Sequence, residues 1–403
     1  MYQKTIIAGL MVMILLFATA CSKRGDNPID PQPPNPEMPL PEQIQSSQLL
    51  WRVLLSEVFQ SLGSGRGAVL RNGHIEIATA SGCFRVDLQN GALADHSSFG
   101  SIRGGLANIH TYDRYIVNHE YRLSTLSGTG VGDNIVRVFD MNTLVWLTTY
   151  PHVPFSDTVF DRMAGLGDRV YFLLEKQNAS PGLSELDFTT GALSEHSGLP
   201  DSLYLFNVPD AWEASGERFL CLIAGVADSM AYVIYNATQQ KIVTRLNAEK
   251  QLPYFLLLGY GGQQNGRIYT RHYASGKLVC RNIADGSIAW ERSLSGNNIN
   301  LLGVSDDRLL LLEDNVLFAL NTENGSPVWS KTLEGVFMGH AFMDDKIVVL
   351  TLDKLNCLNL GNGQETLNVG GFGLYKTGYP GIVKAEQGLI FIGWEKYLLC
   401  FQG

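Results

Sequence analysis

Short apolar segments separated by polar turns are the dominant pattern of this chain from about residue 48 onward. Segments of this kind, bounded by Gly, Asn or Asp, are typical of β-strands joined by tight turns. The clearest example runs from Ala319 to Trp329, where Asn324–Gly325 separates two apolar segments. Asn-Gly tolerates a positive φ at both positions, so this pair predicts a primed two-residue turn. Since no segment has a convincing helical period, the pattern predicts an all-β fold.

Two landmarks recur along the chain. The first is a polar turn that leads into an apolar strand, and its eight copies are at 71–73, 112–114, 167–169, 215–218, 265–267, 306–308, 344–346 and 386–388. The second, here called the Asp/Asn marker, ends an apolar strand and precedes a turn, at Asp87, Asp140, Asp187, Asn236, Asn282, Asn321 and Asn359. Successive markers lie 38 to 53 residues apart. A period of about 40–50 residues with four strands in each repeat predicts a β-propeller.

The final copy of the repeat ends at Leu399–Gly403, where the third strand of a blade finishes. The segment Leu49–Leu55 resembles the fourth strands that contain Trp290 and Trp329, so the N-terminal strand is predicted to complete the last blade. Such pairing closes a ring and removes open sheet edges. We therefore expect an eight-bladed β-propeller of four-stranded antiparallel blades over residues 46–403. Seven blades are the alternative, because blades 2 to 4 are irregular.

The N-terminal 45 residues have a different composition. Residues 1–20 contain Lys4, an apolar run and then small residues, which is typical of a secretion signal and too short for a membrane span. Ala18–Cys21 resembles a bacterial lipobox, in which the cysteine is lipidated and becomes the first mature residue. The alternative is an ordinary signal peptide with a chance cysteine. Residues 21–45 are polar and proline-rich, and they predict an extended tether between the lipid on Cys21 and the propeller.

A family resemblance rests on the segment from Ala319 to Trp329. It resembles the PQQ-type propeller repeat, A-x-D-x-x-T-G-x-x-x-W, with Asn321 in place of the Asp and Asn324 in place of the Thr. The segment from Val279 to Trp290 is a weaker copy. The resemblance implies that the tryptophan of one blade docks onto the next blade. A lipobox followed by such a propeller is similar to the BamB-type outer-membrane assembly lipoproteins, which are non-enzymatic scaffolds.

The net charge of the chain limits the kinds of partner that it can bind. The chain carries a formal net charge of −9 and has no cluster of Lys and Arg, which excludes a nucleic-acid groove. The predicted partners are a membrane, through the lipid on Cys21, and a protein of the cell envelope. A glycan or peptide ligand of a surface or periplasmic protein is the alternative. The expected location is the bacterial envelope, at the outer membrane, on a side that Ser22–Arg24 does not specify.

Enzymatic chemistry has little support in the sequence. The resemblance extends to quinoprotein dehydrogenases, which implies a quinone, a calcium site and often a vicinal disulfide. The chain has no Cys-Cys pair and no alternating Asp and Asn loop of the calcium-binding kind. The acid pairs Asp306–Asp307 and Asp344–Asp345 stand at turn positions, and the eight histidines lack metal-ligand spacing. The chain is therefore predicted to be non-enzymatic, without cofactor or metal, and a quinoprotein is the less favoured alternative.

Three cysteines occupy equivalent positions in different copies of the repeat. Cys280 and Cys357 stand two residues before their Asp/Asn markers, where the best copy has Ala319, and Cys400 holds the same place in the last copy. Equivalent positions on neighbouring blades are about 10 Å apart, which is beyond the reach of a disulfide. Free, buried thiols are therefore predicted, and the same interpretation extends to Cys83 and Cys221.

The predicted partner surface lies on the face with the variable loops. Rigid scaffolds usually bind through such loops. Five residues after the start of the second strand, the chain places Tyr273, Leu352 and Trp394, where a small polar turn residue is typical. Exposed there, these side chains would form an apolar contact surface. The alternative is that they fold back over the ring or are scattered exposed residues.

Overall fold

The computed structural model describes part of the chain. The described residues are 48–54, 68–78, 82–98, 107–112, 115–123, 132–140, 145–150, 154–155, 163–176, 179–200, 202–226, 229–250, 259–272, 275–296, 298–372, 381–394 and 397–403. The predicted signal peptide, the lipidated Cys21, the tether and Tyr273 lie outside these residues. They remain predictions.

The described residues form 33 strands in eight antiparallel sheets and contain no helix. Accordingly, they include no helix with the length and apolar character needed to cross a bilayer. Seven sheets have four strands and one has five. The prediction of an all-β fold built from four-stranded antiparallel sheets is confirmed. The closure of the sheets into one ring of eight blades stays a prediction.

The first four sheets follow one another along the chain. Sheet 1 comprises β2 (Ala68–Arg71), β3 (His74–Ala78), β4 (Gly82–Asp87) and β5 (Leu93–Ser98). Sheet 2 comprises β6 (Ala107–Tyr112), β7 (Tyr115–Leu123), β8 (Gly132–Asp140), β9 (Val145–Tyr150) and β10 (Pro154–Phe155). Sheet 3 comprises β11 (Met163–Leu166), β12 (Arg169–Lys176), β13 (Ala179–Asp187) and β14 (Leu193–Glu195). Sheet 4 comprises β15 (Leu203–Ala214), β16 (Glu217–Val226), β17 (Ser229–Asn236) and β18 (Lys241–Lys250).

The remaining sheets continue this order, except that the last one recruits a strand from the N-terminal side. Sheet 5 comprises β19 (Gly259–Gln264), β20 (Arg267–His272), β21 (Lys277–Asn282) and β22 (Ile288–Ser293). Sheet 6 comprises β23 (Ile299–Ser305), β24 (Arg308–Glu313), β25 (Val316–Asn321) and β26 (Pro327–Thr332). Sheet 7 comprises β27 (Phe337–Met343), β28 (Lys346–Thr351), β29 (Lys354–Asn359) and β30 (Glu365–Gly370). Sheet 8 comprises β31 (Gly381–Glu386), β32 (Leu389–Trp394), β33 (Tyr397–Gln402) and β1 (Leu49–Leu54).

Strand β1 pairs antiparallel with β33, as the sequence predicts. The register runs from Leu49 opposite Phe401 to Leu54 opposite Tyr397, with a bulge between Leu49 and Trp51. The Trp51 ring packs on Phe391 of the same sheet, with ring centroids 5.9 Å apart. Its indole Nε1 donates a 2.7 Å hydrogen bond to the carbonyl of Leu88, just beyond β4 of sheet 1. The N-terminal strand therefore joins sheet 8 to sheet 1.

The hydrophobic core lies between consecutive sheets. Separate buried clusters join sheets 3 and 4, 4 and 5, 5 and 6, 6 and 7, and 8 and 1. In these five clusters most of the side chains come from the second and third strands of their sheets. Stacking each sheet on the next is the packing expected of a propeller.

The turns between first and second strands have the geometry that their sequences predict. At Asn265–Gly266 the φ values are 51° and 72°, and at Asn72–Gly73 they are 50° and 75°. Positive φ at both positions is the primed turn that matches the twist of paired strands. The paired acids Asp306–Asp307 occupy the same kind of position, as exposed residues between β23 and β24.

The turn at Asn324–Gly325 differs from the prediction of a two-residue primed turn. Strand β25 ends at Asn321 and β26 begins at Pro327, so the connection is longer than two residues. Gly325 has a φ of 71°, whereas Asn324 keeps an ordinary negative φ. The reason is capping by Asn321, whose carbonyl accepts from the Gly325 N–H at 2.8 Å and whose Oδ1 accepts from the Glu323 N–H at 2.8 Å. This side-chain cap competes with a tight hairpin.

The cysteine prediction is confirmed for four residues. Cys221, Cys280, Cys357 and Cys400 are free and buried. Burial raises the pKa of Cys280 to about 11 and that of Cys400 to about 12. These thiols are therefore protonated core residues, while the side chain of Cys83 lies outside the described residues.

Candidate functional site

Of the three residues of the predicted partner surface, Leu352 and Trp394 lie among the described residues. Leu352 lies in the turn between β28 and β29, where its side chain is half-buried. Its backbone N–H donates to the carbonyl of Val336 at 2.7 Å, which brings two connections of this sheet together. Val336 is 65% exposed, more than any other large hydrophobic side chain among the described residues. The exposed Val336 and the half-buried Leu352 are thus neighbours through the backbone, and a role of Leu352 in partner binding stays a prediction.

Trp394 does not belong to an exposed surface, and the prediction that placed it there is wrong. Its side chain is 4% exposed at the end of β32. The indole packs edge-on against the ring of Phe372, with centroids 6.2 Å apart and planes at 73°. Phe372 is itself buried and also contacts Phe401. The large apolar ring is covered by neighbouring aromatic side chains, so Trp394 is part of the core.

A second candidate site is a charged cleft between sheets 3 and 4. It has a volume of about 350 Å³ and is open to solvent. It lies at the turns that join first to second and third to fourth strands, opposite the predicted binding face. Its lining residues are Leu166, Gly167, Asp168, Arg169, Asp187, Thr189, Glu213 and Arg218. We call it the sheet 3/4 cleft.

The floor of the sheet 3/4 cleft is an ionic network around Glu185. This glutamate lies on β13 and is 5% exposed. Arg218 of sheet 4 places Nη1 within 3.0 Å of both Glu185 carboxylate oxygens and 2.7 Å from the Tyr171 hydroxyl. Arg169 also donates to Glu185, and its Nη2 lies 2.9 Å from Asp187 Oδ2. Two guanidinium groups are therefore held in fixed positions beneath the cleft.

His196 and Tyr235 complete the network on its buried side. The His196 Nε2 lies 3.0 Å from Glu185 Oε2, and its ring packs between those of Tyr171 and Tyr235. The Tyr235 hydroxyl donates to the carbonyl of Ser197 at 2.5 Å. Ser197 in turn donates to the Gln240 side chain of sheet 4. Polar contacts therefore join sheets 3 and 4 where tryptophans join other sheets.

The protonation states of the network are fixed by its contacts. Burial alone would raise the pKa of Glu185, but hydrogen bonds from His196 and Arg218, reinforced by the Arg218 charge, lower it to about 2. Hydrogen bonds from Thr189 lower the pKa of Asp187. Burial, reinforced by the Glu185 charge, raises the pKa of Tyr171 to about 12. At neutral pH the carboxylates are charged and the tyrosine is neutral, so none is poised for acid–base catalysis.

Sequence reasoning missed this cleft, although the repeat contains a signal for it. Glu185 stands two residues before its marker, at the position where Cys280, Ala319 and Cys357 supply small buried side chains. A charged residue at a position that is otherwise small and buried requires a partner. Sheet 1 has a related exception, because Arg85 at this position pairs with the buried Glu76 at 2.8 Å.

The donor sets do not form a metal centre. Among the described residues, no group of three His, Cys, Asp or Glu side chains is arranged to hold a metal ion. The acid pairs at 306–307 and 344–345 instead make local contacts, since Asp307 pairs with Arg308 and Asp345 accepts from Asn359. The arrangement of the sheet 3/4 cleft is suited to binding a charged group.

Comparison with known proteins identifies the repeat. Residues 230–368, about a third of the 403-residue chain, match a family model described as "Outer membrane protein assembly factor BamB". The resemblance to the PQQ-like propeller repeat is confirmed. The matched segment begins in the apolar strand that ends at the marker Asn236, and it contains the copies that end in Trp290 and Trp329. A comparison with curated protein sequences finds no match.

Solved structures show the same architecture over most of the chain. The computationally designed Ika8 protein matches with a TM-score of 0.61 and 13% identity, over 88% of this chain and 99% of that chain. BamB from Moraxella catarrhalis matches with a TM-score of 0.57 and 13% identity, over 88% and 99%. Sqt1 from Saccharomyces cerevisiae matches with a TM-score of 0.55 and 13% identity, over 88% and 99%. At this identity the likeness shows the fold alone.

Proposed function

We propose that the chain is a lipid-anchored scaffold of the bacterial cell envelope that binds other proteins and catalyses no reaction. The observation that carries this proposal is the match of residues 230–368 to the model described as an outer membrane protein assembly factor. The proposed partners are accordingly proteins of the outer membrane and its assembly machinery. The fold supports a scaffold, because stacked sheets present many loops from a rigid frame.

The anchor is part of the same proposal. Lipidation of Cys21 would attach the chain to the outer membrane, and residues 22–45 would separate the propeller from the lipid. One acyl chain gives weak and reversible membrane binding, so stable attachment requires the several chains of a lipoprotein. The propeller would then meet its partners near the membrane surface.

Three features support binding over catalysis. The buried Glu185 and the half-buried Arg218 satisfy each other, and the pKa of about 2 keeps Glu185 ionised. Cysteine nucleophiles need a lowered pKa, whereas burial raises that of Cys280 and Cys400. The exposed Val336 and the half-buried Leu352 would offer an apolar contact of the kind that protein interfaces use.

The test is capture of partners from the envelope. The full chain, with Cys21 intact and a C-terminal tag, would be purified from detergent-solubilised envelopes and its partners identified by mass spectrometry. We expect enrichment of outer-membrane β-barrel proteins. The double variant Val336→Ser with Leu352→Ser should reduce this enrichment with little loss of thermal stability, since Val336 is exposed and Leu352 is only half-buried.

Two outcomes would overturn the proposal. One is a preparation in which no outer-membrane protein is enriched over a matched tagged lipoprotein of unrelated fold. The other is quinone-dependent reduction of a redox dye by the purified chain, which would identify an enzyme. Retention of an envelope glycan without any protein partner would replace the scaffold with a glycan-binding propeller. Radiolabelled palmitate incorporation that persists in Cys21→Ser would contradict the anchor.

A further inference from the structure

The sheet 3/4 cleft has a charge that its internal pairs leave uncompensated. Its lining and floor contain two guanidinium groups, Arg169 and Arg218, and four carboxylates, namely Glu185, Asp187, Asp168 and Glu213. The arginines are held by Glu185 and Asp187. Neither Asp168 nor Glu213 has an ion-pair partner among the described residues, and both are exposed at the mouth. The formal charge of the site is therefore −2.

The arginines do not make the cleft a site for anions. Arg218 Nη1 is committed to Tyr171 and Glu185, and Arg169 uses both Nη groups on Glu185 and Asp187. Each guanidinium charge is balanced by a carboxylate that remains ionised at neutral pH. An incoming anion would meet Asp168 and Glu213 first, and like charges at close range repel it.

The shape and lining of the cleft favour a long cationic side chain. Leu166, at the end of β11, supplies an apolar wall beside the two free carboxylates. Lysine and arginine have an aliphatic stem that packs on apolar surface and a charged end that stays near carboxylates and water. A volume of about 350 Å³ accommodates such a side chain with accompanying water. Binding would cost little side-chain entropy in the floor of the cleft, because the Glu185 network already holds those side chains in place.

We propose that the sheet 3/4 cleft receives a basic side chain, lysine or arginine, presented by a protein partner. This rests on the proposed scaffold function and names a contact within it. It also assigns a role to the face with the short turns, opposite the predicted partner surface. Asp168 and Glu213 bind the cationic end, and the Glu185 network positions the walls.

The test measures binding of a defined probe to the purified propeller. A blocked, fluorescein-labelled tri-lysine peptide serves as the probe, with blocked tri-glutamine and tri-glutamate peptides as the neutral and anionic comparisons. The variant Asp168→Asn with Glu213→Gln removes the free carboxylates. The matched control, Asp306→Asn with Asp307→Asn, removes two exposed carboxylates from sheet 6 on the same face. Both variants change the net charge equally.

We expect the cleft variant to weaken tri-lysine binding at least about fivefold, and the control variant less than about twofold. Equal losses in both variants would show attraction to the acidic chain as a whole and would overturn the proposal, as would unchanged binding in the cleft variant. The peptide result is independent of the envelope capture experiment. If capture succeeds and the cleft variant binds tri-lysine normally, the cleft proposal fails while the scaffold proposal stands. If capture fails and the cleft variant alone loses tri-lysine binding, the scaffold proposal fails while the cleft still binds basic side chains.

Discussion

The indole Nε1 of Trp290 donates a 2.9 Å hydrogen bond to the carbonyl oxygen of Thr322, one sheet further along the chain. Trp329 repeats this contact with Leu360 at 2.8 Å, and Trp51 repeats it with Leu88 at 2.7 Å. In each case the accepting carbonyl belongs to the residue directly after an Asp/Asn marker. The implication of the family resemblance, that the tryptophan of one blade docks onto the next, thus holds at three junctions.

Gly325 is the first test of this contact. A Cβ at this position would lie 2.7 Å from Trp290 Cε3, and the φ is 71°. Gly325→Ala should therefore lower the free energy of unfolding by the cost of a left-handed alanine, about 1 kcal/mol, plus roughly 1–3 kcal/mol of overlap with the indole. Urea unfolding followed by tryptophan fluorescence measures the change.

The matched control is Gly266→Ala. Its φ is 72°, but no atom lies within 4 Å of the added Cβ. It should show the conformational cost alone. If both variants are destabilised equally, the tryptophan contact does not limit the turn.

Trp51 tests the junction between sheets 8 and 1. Trp51→Ala removes a buried ring and its hydrogen bond to Leu88, and we expect a loss of roughly 3–5 kcal/mol in unfolding free energy. Its neighbour Leu50 is 47% exposed, so Leu50→Ala should stay within about 0.5 kcal/mol of the parent chain. Denaturant titrations of both variants supply the comparison. A small effect of Trp51→Ala would mean that the N-terminal strand contributes little to the fold.

Glu185 gives a prediction with a defined pH dependence. Its folded-state pKa of about 2 lies below the ordinary value of 4.5, so the folded state binds fewer protons than the unfolded state between these values. The stabilisation is complete above pH 4.5 and is lost as the pH falls towards about 2. Glu185→Gln should cost about 3 kcal/mol near neutral pH, because it leaves buried positive groups without their counter-charge.

The gap between Glu185→Gln and the parent chain should therefore shrink on acidification. Urea midpoints measured at about pH 6 and about pH 3 provide the values. A gap that stays constant over this range would show that Glu185 is not an ionised partner of Arg218. The exposed Glu213→Gln serves as the control and should show a small gap at both pH values.

The four described thiols should resist alkylation in the folded chain. Burial raises the pKa of Cys221, Cys280, Cys357 and Cys400, so the reactive thiolate is scarce as well as inaccessible. Iodoacetamide labelling at about pH 8, mapped by mass spectrometry, should be at least about tenfold slower than in denaturant. A Cys357–Cys400 disulfide in the non-reduced protein would contradict the blade alignment.

Variants of Trp394 and Val336 test which of these side chains belongs to the core and which to the surface. Trp394→Ala should lower the unfolding free energy by roughly 3–5 kcal/mol, because the ring is enclosed against Phe372. Val336→Ser should leave it within about 0.5 kcal/mol. Thermal unfolding of both variants provides the measurement. Unchanged stability of Trp394→Ala would show that the Trp394 ring is a surface side chain and not part of the core.

The parts of the fold that the sequence predicts are those that local chemistry decides. Asn265–Gly266 turns where it does because both residues accept a positive φ, and the pairing of β1 with β33 follows from the likeness of Trp51 to Trp290. The failures depend on distant groups. The turn at Asn324–Gly325 is not a two-residue primed turn, because the side chain of Asn321 caps it. Trp394 is not exposed, because Phe372 packs against its ring. The sheet 3/4 cleft is formed by residues of two sheets, so no single repeat predicts it. The only signal in the repeat is Glu185, a charged residue at a position that is otherwise small and buried.

The partnership of Leu49 with Phe401 also constrains the order of folding. During synthesis β1 emerges before the other described strands, whereas its partner β33 is the last of them to be made. Contacts between such distant segments form slowly, because the intervening chain must be ordered first. Until residues 397–402 arrive, β1 has a free hydrogen-bonding edge and an uncovered tryptophan, which are features that holding chaperones recognise and that otherwise promote aggregation.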